Sequence, residues 1–390
     1  MGSMQAIPRG CCDPSKFRPK QCMKIPFVDL HAQYLTIKPE IDEAIASVIR
    51  DSSYIRGGNV DSFEKAWAAN VGVKHCVSCA NGTDALYIAM KGLGIRPGDE
   101  VITTAHSWIS TSETITQAGG KVVFADTDRD TFTLDVKHLA NRVTSRTVGI
   151  IPVHLYGQAA DMDGVMEIAR KHKLWVIEDC AQAHLAKYNG RQVGTFGDAA
   201  TYSFYPGKNL GAYGDAGALV TSDDTLAEWS GTFARHGGKG EHVMEGINSR
   251  LDGLQAAVLN VKLPRLRSWT EARQRVARRY DELLRGINGL EIPVTAPGRE
   301  HVYHLYVVRC DRRDELRAHL GAAGISTVLN YPKALPFYPA YSYLGHSPAD
   351  FPEAFANQGR ILSLPIYPEI PDEALQYVAK TIAEFFEKAS

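Results

Sequence analysis

The chain has 390 residues and a formal net charge of −1, with 43 Lys+Arg against 44 Asp+Glu. That balance gives no electrostatic footprint for nucleic acid or an anionic membrane, and no apolar run reaches the length that spans a bilayer. With 44% hydrophobic and 22% charged residues, the composition is that of a soluble globular protein, long enough for two domains or for one large domain with an appended lobe.

In chain order, residues 1–24 mix Pro, Arg, Lys and Cys without a signal peptide's apolar core. They are expected to be a flexible leader or a cloning remnant. Residues 25–30 form an extended entry segment. Pro39 opens a predicted helix whose Ile41, Ala44, Ile45, Val48 and Ile49 share one face. A second helix is predicted at 60–69, with Phe63 and Trp67 four apart. From there strands at 73–78, 101–104, 122–126, 148–153 and 174–179 alternate with helices at 85–91, 108–117 and 162–172. Repeated βα units at this spacing predict a mostly parallel sheet covered by helices. Two more β-type runs, 199–204 and 218–221, flank a glycine-rich loop that carries Lys208.

Beyond residue 221 the pattern changes. A long Arg- and Ala-rich helix is predicted at 251–284, bridging to a small α+β lobe. That lobe has a strand at 304–309, a helix at 314–323, a strand at 325–330, an open Pro/Tyr-rich loop at 331–347 and a final helix from Asp372. The expected division is therefore a leader at 1–24, a large domain at 25–255 and a small C-terminal domain at 256–390.

The seven cysteines are odd in number and follow no framework spacing, which fits reduced thiols in the cytoplasm. Cys76-Val77-Ser78-Cys79 sits in a strand-like run with no second pair. No metal site or redox motif is expected from it.

Three constellations fall at predicted strand ends, where open α/β sheets place their ligand crevice. Asn81-Gly82-Thr83-Asp84 opens a helix and offers backbone N–H groups, a hydroxyl and the positive end of the helix dipole, as a phosphate needs. Asp179 ends a hydrophobic strand inside Glu178-Asp179-Cys180-Ala181-Gln182-Ala183-His184. A carboxylate delivered there must be paired or hydrogen-bonded to stay ionised. Ser203 and Lys208 lie five residues apart at a third strand end. Each alone also fits an N-cap, a helix cap or a surface charge. Together they match pyridoxal phosphate, which requires a Schiff-base lysine, a carboxylate at the ring nitrogen and a phosphate cradle.

Six ordered motifs cover nearly the whole chain from Ile25: Phe27-Val28-Asp29-Leu30, the Asn81–Leu86 turn, Pro152-Val153-His154-Leu155-Tyr156-Gly157, the Glu178–His184 run, the Ser203–Gly211 loop and Asn248-Ser249-Arg250-Leu251-Asp252. On these the chain resembles the DegT/StrS family of sugar aminotransferases. The resemblance implies an α/β, aspartate aminotransferase-like fold of type I. It implies that Lys208 forms the Schiff base, Asp179 pairs with the ring nitrogen and Gln182 lies against the ring. Gly82, Thr83 and Ser203 would hold the phosphate, and Trp108 would stack on the ring. Asn248 would reach the neighbouring subunit's phosphate and Arg250 the amino donor's carboxylate there, which makes a homodimer with shared sites the expected assembly. Asn330, Tyr331 and His184 are the candidate sugar contacts.

The implied reaction moves an amino group from glutamate or glutamine to a nucleotide-linked keto-sugar. A keto-cyclitol acceptor and a non-catalytic regulatory protein are the alternatives. Leu185 stands where the family often has glycine, Gly207 where it has Ser or Thr, and Asn330 where several members have a sugar-contacting histidine. Related dehydratases replace the lysine with histidine, so Lys208 favours transamination.

Overall fold

The computed structural model describes residues 23–238 and 240–387. The expectation for 1–24 thus lies, but for its last two residues, outside the described residues. Seven strands form the main sheet: β1 (His75–Cys79), β2 (Glu100–Thr104), β3 (Lys121–Ala125), β4 (Thr147–Ile151), β5 (Trp175–Asp179), β6 (Ala199–Ser203) and β7 (Gly217–Thr221). Their order is β1-β7-β6-β5-β4-β2-β3. The five strands from β6 to β3 are parallel, and β7 runs antiparallel between β6 and β1. Every strand but β7 therefore ends on one edge, which brings Cys79, Asp179 and Ser203 together.

Side chains that alternate along the strands feed two cores, as the pleat requires. Ile102, Ile150, Val176, Ala200 and Val220 pack into one. Val101, Ile151, Ile177, Ala199 and Leu219 pack into the other. Burial on both faces explains why β5 reads as a continuous apolar run before its two acids.

The C-terminal lobe is built on an antiparallel pair, β8 (Tyr306–Arg309) and β9 (Ile361–Leu364). The helices Leu266–Leu284, Arg313–Ala322 and Asp372–Glu387 cover it, and its core includes Tyr280, Tyr306, Leu316, Val378 and Ile382.

Three expectations change here. The helix predicted at 251–284 is two helices, Gly253–Lys262 and Leu266–Leu284, joined by a 3-10 turn at Leu263–Arg265. Pro264 sits in that turn; it lacks an N–H and its ring would clash with the preceding turn of a continuous helix. The strand predicted at 325–330 does not form. Ile325 and Val328 make single bridges to Ile25 and Ser363, while β9, a short apolar run hidden behind a helix, is the real partner of β8. The loop at 331–347 is not open. It winds through short 3-10 turns and docks on the main sheet: Leu335 N–H donates to Ala105 O at 2.7 Å and Tyr341 OH to Ser112 Oγ at 2.7 Å. Ala334, Leu335 and Tyr341 share a core with Leu86 and Phe124. Among the described residues, no helix is long and apolar enough to cross a membrane.

Candidate active site

A cavity of about 660 Å³ opens at the carboxyl edge of the sheet. Its wall includes Gly82, Thr83, Trp108, Asp179, Gln182, Ser203 and Lys208, with Asn330 and Tyr331 contributed by the C-terminal segment. Lys208 is partly buried on the turn after β6, where its own N–H bonds Tyr205 O at 2.8 Å. Desolvation in the cavity lowers its pKa to about 8, although the charge of Asp179 pulls the other way.

Asp179 is 5% exposed. Its backbone is pinned on both sides, N–H to Pro152 O at 2.9 Å and O from His154 N–H at 3.0 Å. Thr111 Oγ1 donates to Oδ2 at 2.8 Å and Ala181 N–H to Oδ1 at 3.1 Å. Burial still raises its pKa, against those two bonds and the attraction of Lys208. A buried carboxylate held this way would be stabilised in its charged form by a cation in the cavity.

The neighbouring Glu178 points to the opposite face and has a structural role. His154 Nε2 lies 3.0 Å away, and Gly194, Phe196 and Gly197 donate backbone N–H bonds of 2.8, 2.6 and 2.9 Å. Burial would raise its pKa, but these bonds outweigh it and the pKa is lowered. His154, Glu178 and Cys180 have donor atoms within 4.8 Å of one another. Those of the first two are already occupied, because His154 Nδ1 also accepts from Ala160 N–H at 3.0 Å. Among the described residues, Cys76, Cys79, Cys180 and Cys310 are all free thiols.

At the other end of the cavity the helix Gly82–Gly92 begins, capped by Asn81 Oδ1 on Asp84 N–H at 2.8 Å. A Cβ on Gly82 would lie 2.9 Å from Ser203 Cβ, and one on Gly217 would lie 2.2 Å from the Asn81 carbonyl carbon. Three backbones thus converge so closely that two positions admit glycine alone. Thr83 Oγ1 and Ser110 Oγ are 2.7 Å apart beside them. Gln182 is held by Tyr156 N–H on its Oε1 at 2.7 Å, and its Nε2 donates to Tyr331 OH at 2.8 Å. Trp108 is 57% exposed at the mouth, its ring centroid 5.5 Å from that of Tyr331. Asn330 is fixed by Ser363 Oγ on its Oδ1 at 2.8 Å, and its carbonyl accepts from Tyr156 OH.

Three expected site residues lie elsewhere. His184 is fully buried among Trp67, Tyr202 and Phe204, with ring centroids 5.5–5.6 Å apart. Burial, reinforced by the charge of Lys208, drops its pKa to about 3. It is a core residue under the lysine loop rather than part of the cavity wall. Asn248 and Arg250 also stand apart from the cavity of their own chain. Between them Ser249 donates to Asp84 Oδ2 at 2.5 Å and accepts from Ala80 N–H at 3.0 Å, which ties this segment to the helix that opens at Gly82.

Sequence reasoning missed Thr111 and Ser110, which support Asp179 and Thr83. Their signal was a Ser/Thr-rich helix start with no surface pattern. Two of the three departures from the family pattern differ in backbone. Leu185 takes φ +69°, the left-handed region that favours glycine, whereas a Cβ on Gly207 would meet the Tyr205 ring at an ordinary 3.7 Å.

The residues present fit pyridoxal phosphate. A depressed-pKa amine and a buried carboxylate share one cavity with a backbone cradle that a Cβ would fill. The chain is also similar to known proteins. The chain is 47% identical over 368 residues to a pleiotropic regulatory protein of Geobacillus stearothermophilus, covering 93% of this chain and 99% of that one. It is 42% identical over 367 residues to the dTDP-3-amino-3,4,6-trideoxy-alpha-D-glucose transaminase of Streptomyces venezuelae, covering 94% and 97%. The crystal structure of S. venezuelae DesV, in complex with a ketimine intermediate, superposes with a TM-score of 0.91 at 42% identity over 93% of this chain and 99% of that one. The profile of the DegT/DnrJ/EryC1/StrS aminotransferase family matches residues 35–383, and the chain belongs to that family.

Proposed function

We propose that the protein is a pyridoxal phosphate-dependent aminotransferase that moves an amino group from glutamate, or glutamine, to a nucleotide-linked keto-hexose. The observation that carries this reading is the placement of Lys208 and Asp179 in one cavity. When bound, the cofactor supplies an aldehyde for amine exchange and a ring that takes up electrons from the adjacent carbon. Lys208 Nζ would be its attachment point. The lysine's pKa of about 8 in the cavity suits an amine that would take a proton from the substrate carbon and return it. Asp179 Oδ atoms would keep the ring nitrogen protonated, and Thr111 and Ala181 hold that carboxylate in place. Gly82, Thr83 and Ser203 would hold the phosphate, Gln182 would orient the ring and Trp108, at the mouth, would cover it. Asn330 and Tyr331 border the side open to the acceptor.

The transaminase from S. venezuelae is named for an amine at C3, which supports a 3-keto acceptor here. The distance of Asn248 and Arg250 from their own cavity supports a homodimer in which each subunit completes the other's site. The free cysteines support a cytoplasmic location.

The test is Lys208→Ala, assayed for amine transfer from glutamate to a dTDP-linked 3-keto-6-deoxyhexose and to a keto-cyclitol. Transfer to the hexose that disappears in the variant supports the proposal. Transfer to the cyclitol alone moves the substrate class. A regulatory role of the kind named for the G. stearothermophilus relative predicts no turnover in the unmodified protein. Turnover near the wild-type rate in Lys208→Ala refutes the assignment of the lysine.

A further inference from the structure

His304 borders the same cavity and has no role in the scheme above. Its segment is stitched to the turn next to Gln182: Val302 N–H bonds Gly157 O at 2.9 Å and Leu305 N–H bonds Tyr156 O at 3.2 Å. Facing it is Asn209, the residue after Lys208, 4% exposed. The orientation of the Asn209 amide is forced. Its Nδ2 lies 3.1 Å from Val302 O, a carbonyl that only accepts, so Nδ2 donates there. Oδ1 is then the atom 3.3 Å from His304 Nδ1, and the ring must donate to it. A proton fixed on Nδ1 leaves Nε2 with a lone pair. Charging the ring is opposed by its burial and by Lys208, Arg273 and His184 around it, while Arg273 Nη1 also donates to His304 O at 3.4 Å.

A residue of the cavity wall thus carries a neutral ring with an acceptor nitrogen, within electrostatic reach of Lys208. Glutamate has little to offer it: two carboxylates that only accept, and an amine that is transferred. A keto-hexose offers hydroxyl donors. We propose that His304 is a specificity-determining residue whose Nε2 accepts a hydrogen bond from an acceptor-sugar hydroxyl on a carbon next to the one that receives the amine. The inference rests on the sugar-aminotransferase reading and adds to it the side of the sugar that is read.

The experiment measures the two half-reactions of the holoenzyme separately for wild type, His304→Leu and His304→Gln. Amine uptake from glutamate is followed by the visible absorbance change, and amine delivery uses a dTDP-linked 3-keto-6-deoxyhexose. Losing one hydrogen bond should lower kcat/KM for delivery about tenfold in His304→Leu. His304→Gln, which keeps an acceptor oxygen, should recover most of it, and uptake from glutamate should stay within about twofold. Calorimetric Kd for the dTDP-linked 3-amino product should weaken in the same ratio as delivery. Independently of any variant, acceptors lacking the C2 or the C4 hydroxyl should show the same loss on wild type for one of the two positions, with no further loss in His304→Leu. Equal losses in both half-reactions, an unchanged delivery step, or no rescue by glutamine would each overturn the proposal. Failure of the underlying reading would be visible earlier, as a wild-type enzyme that takes the amine from glutamate and delivers it to no keto-sugar, or takes none.

Discussion

A desolvated lysine is a burden on the fold, and the burden can be measured. Lys208 has its pKa lowered from 10.5 to about 8. Each unit is worth 1.36 kcal/mol of preference for the neutral form, so the charged amine destabilises the cofactor-free fold by about 3 kcal/mol. The sign follows from linkage. Below pH 8 the amine is charged in both states and the folded state bears the whole penalty. Between 8 and 10.5 the folded protein has released a proton that the unfolded chain retains, so stability rises with pH. Above 10.5 the amine is neutral in both states and the penalty is gone. Lys208→Met keeps the unbranched stem and removes the charge. Cofactor-free Lys208→Met should therefore be about 3 kcal/mol more stable than wild type at pH 7, with the two converging above pH 10.5. Urea unfolding of both proteins at pH 7, 9 and 10.5 gives the comparison. A variant less stable than wild type at pH 7, or a gap that does not change with pH, would refute the assignment of a desolvated amine.

Three further outcomes follow from contacts already described. Glu178→Gln mimics the protonated acid where four donors converge, so it should be destabilised by about 3 kcal/mol at neutral pH. Because the folded pKa of Glu178 is lowered, its contribution is present above the ordinary 4.5 and is lost as pH falls through the lower folded value. The gap between Glu178→Gln and wild type should shrink in acid unfolding for the same reason, and a constant gap would contradict it. Gly217→Ala puts a Cβ 2.2 Å from the Asn81 carbonyl carbon, so it should cost about 1–3 kcal/mol and weaken cofactor affinity, read by spectrophotometric titration with pyridoxal phosphate. Gly207→Ser, whose Cβ meets the Tyr205 ring at 3.7 Å, should change stability by no more than about 0.5 kcal/mol in thermal unfolding and leave turnover intact.

The main sheet was legible because its strands are short apolar runs bounded by turns, and burial on both faces makes such runs stand out. The helix Met162–His172 was predicted with its observed limits for the opposite reason, a sharp polar and apolar split ended by three basic residues. What escaped notice depended on partners distant in sequence. Residues 325–330 have the composition of a strand, but Ile361–Leu364 takes the place beside Tyr306–Arg309, and composition cannot rank two candidates for one edge. The tyrosines and prolines at 331–347 suggested an open loop, yet Tyr341 is 3% exposed because Phe124 and Ser112 lie under it.

The site divides along the same line. Lys208, Asp179 and the Gly82 turn could be found in sequence because strand ends and helix starts place them without further help. His184 could not be sorted this way, since it shares a motif with Asp179 and Gln182. Asp179 ends β5 at the cavity and Gln182 reaches it from the following turn, while His184 turns under the lysine loop into an aromatic cluster. His304 shows the converse. Nothing local marks it, because its chemistry is set by Asn209 and, through Asn209, by the carbonyl of Val302. A lysine's reactivity comes mainly from the desolvation around it, which a buried strand end announces. A histidine's tautomer comes from a single oriented neighbour, which only the folded chain supplies. This asymmetry explains why the reaction type is readable from residues while the role proposed for His304 depends on the fold.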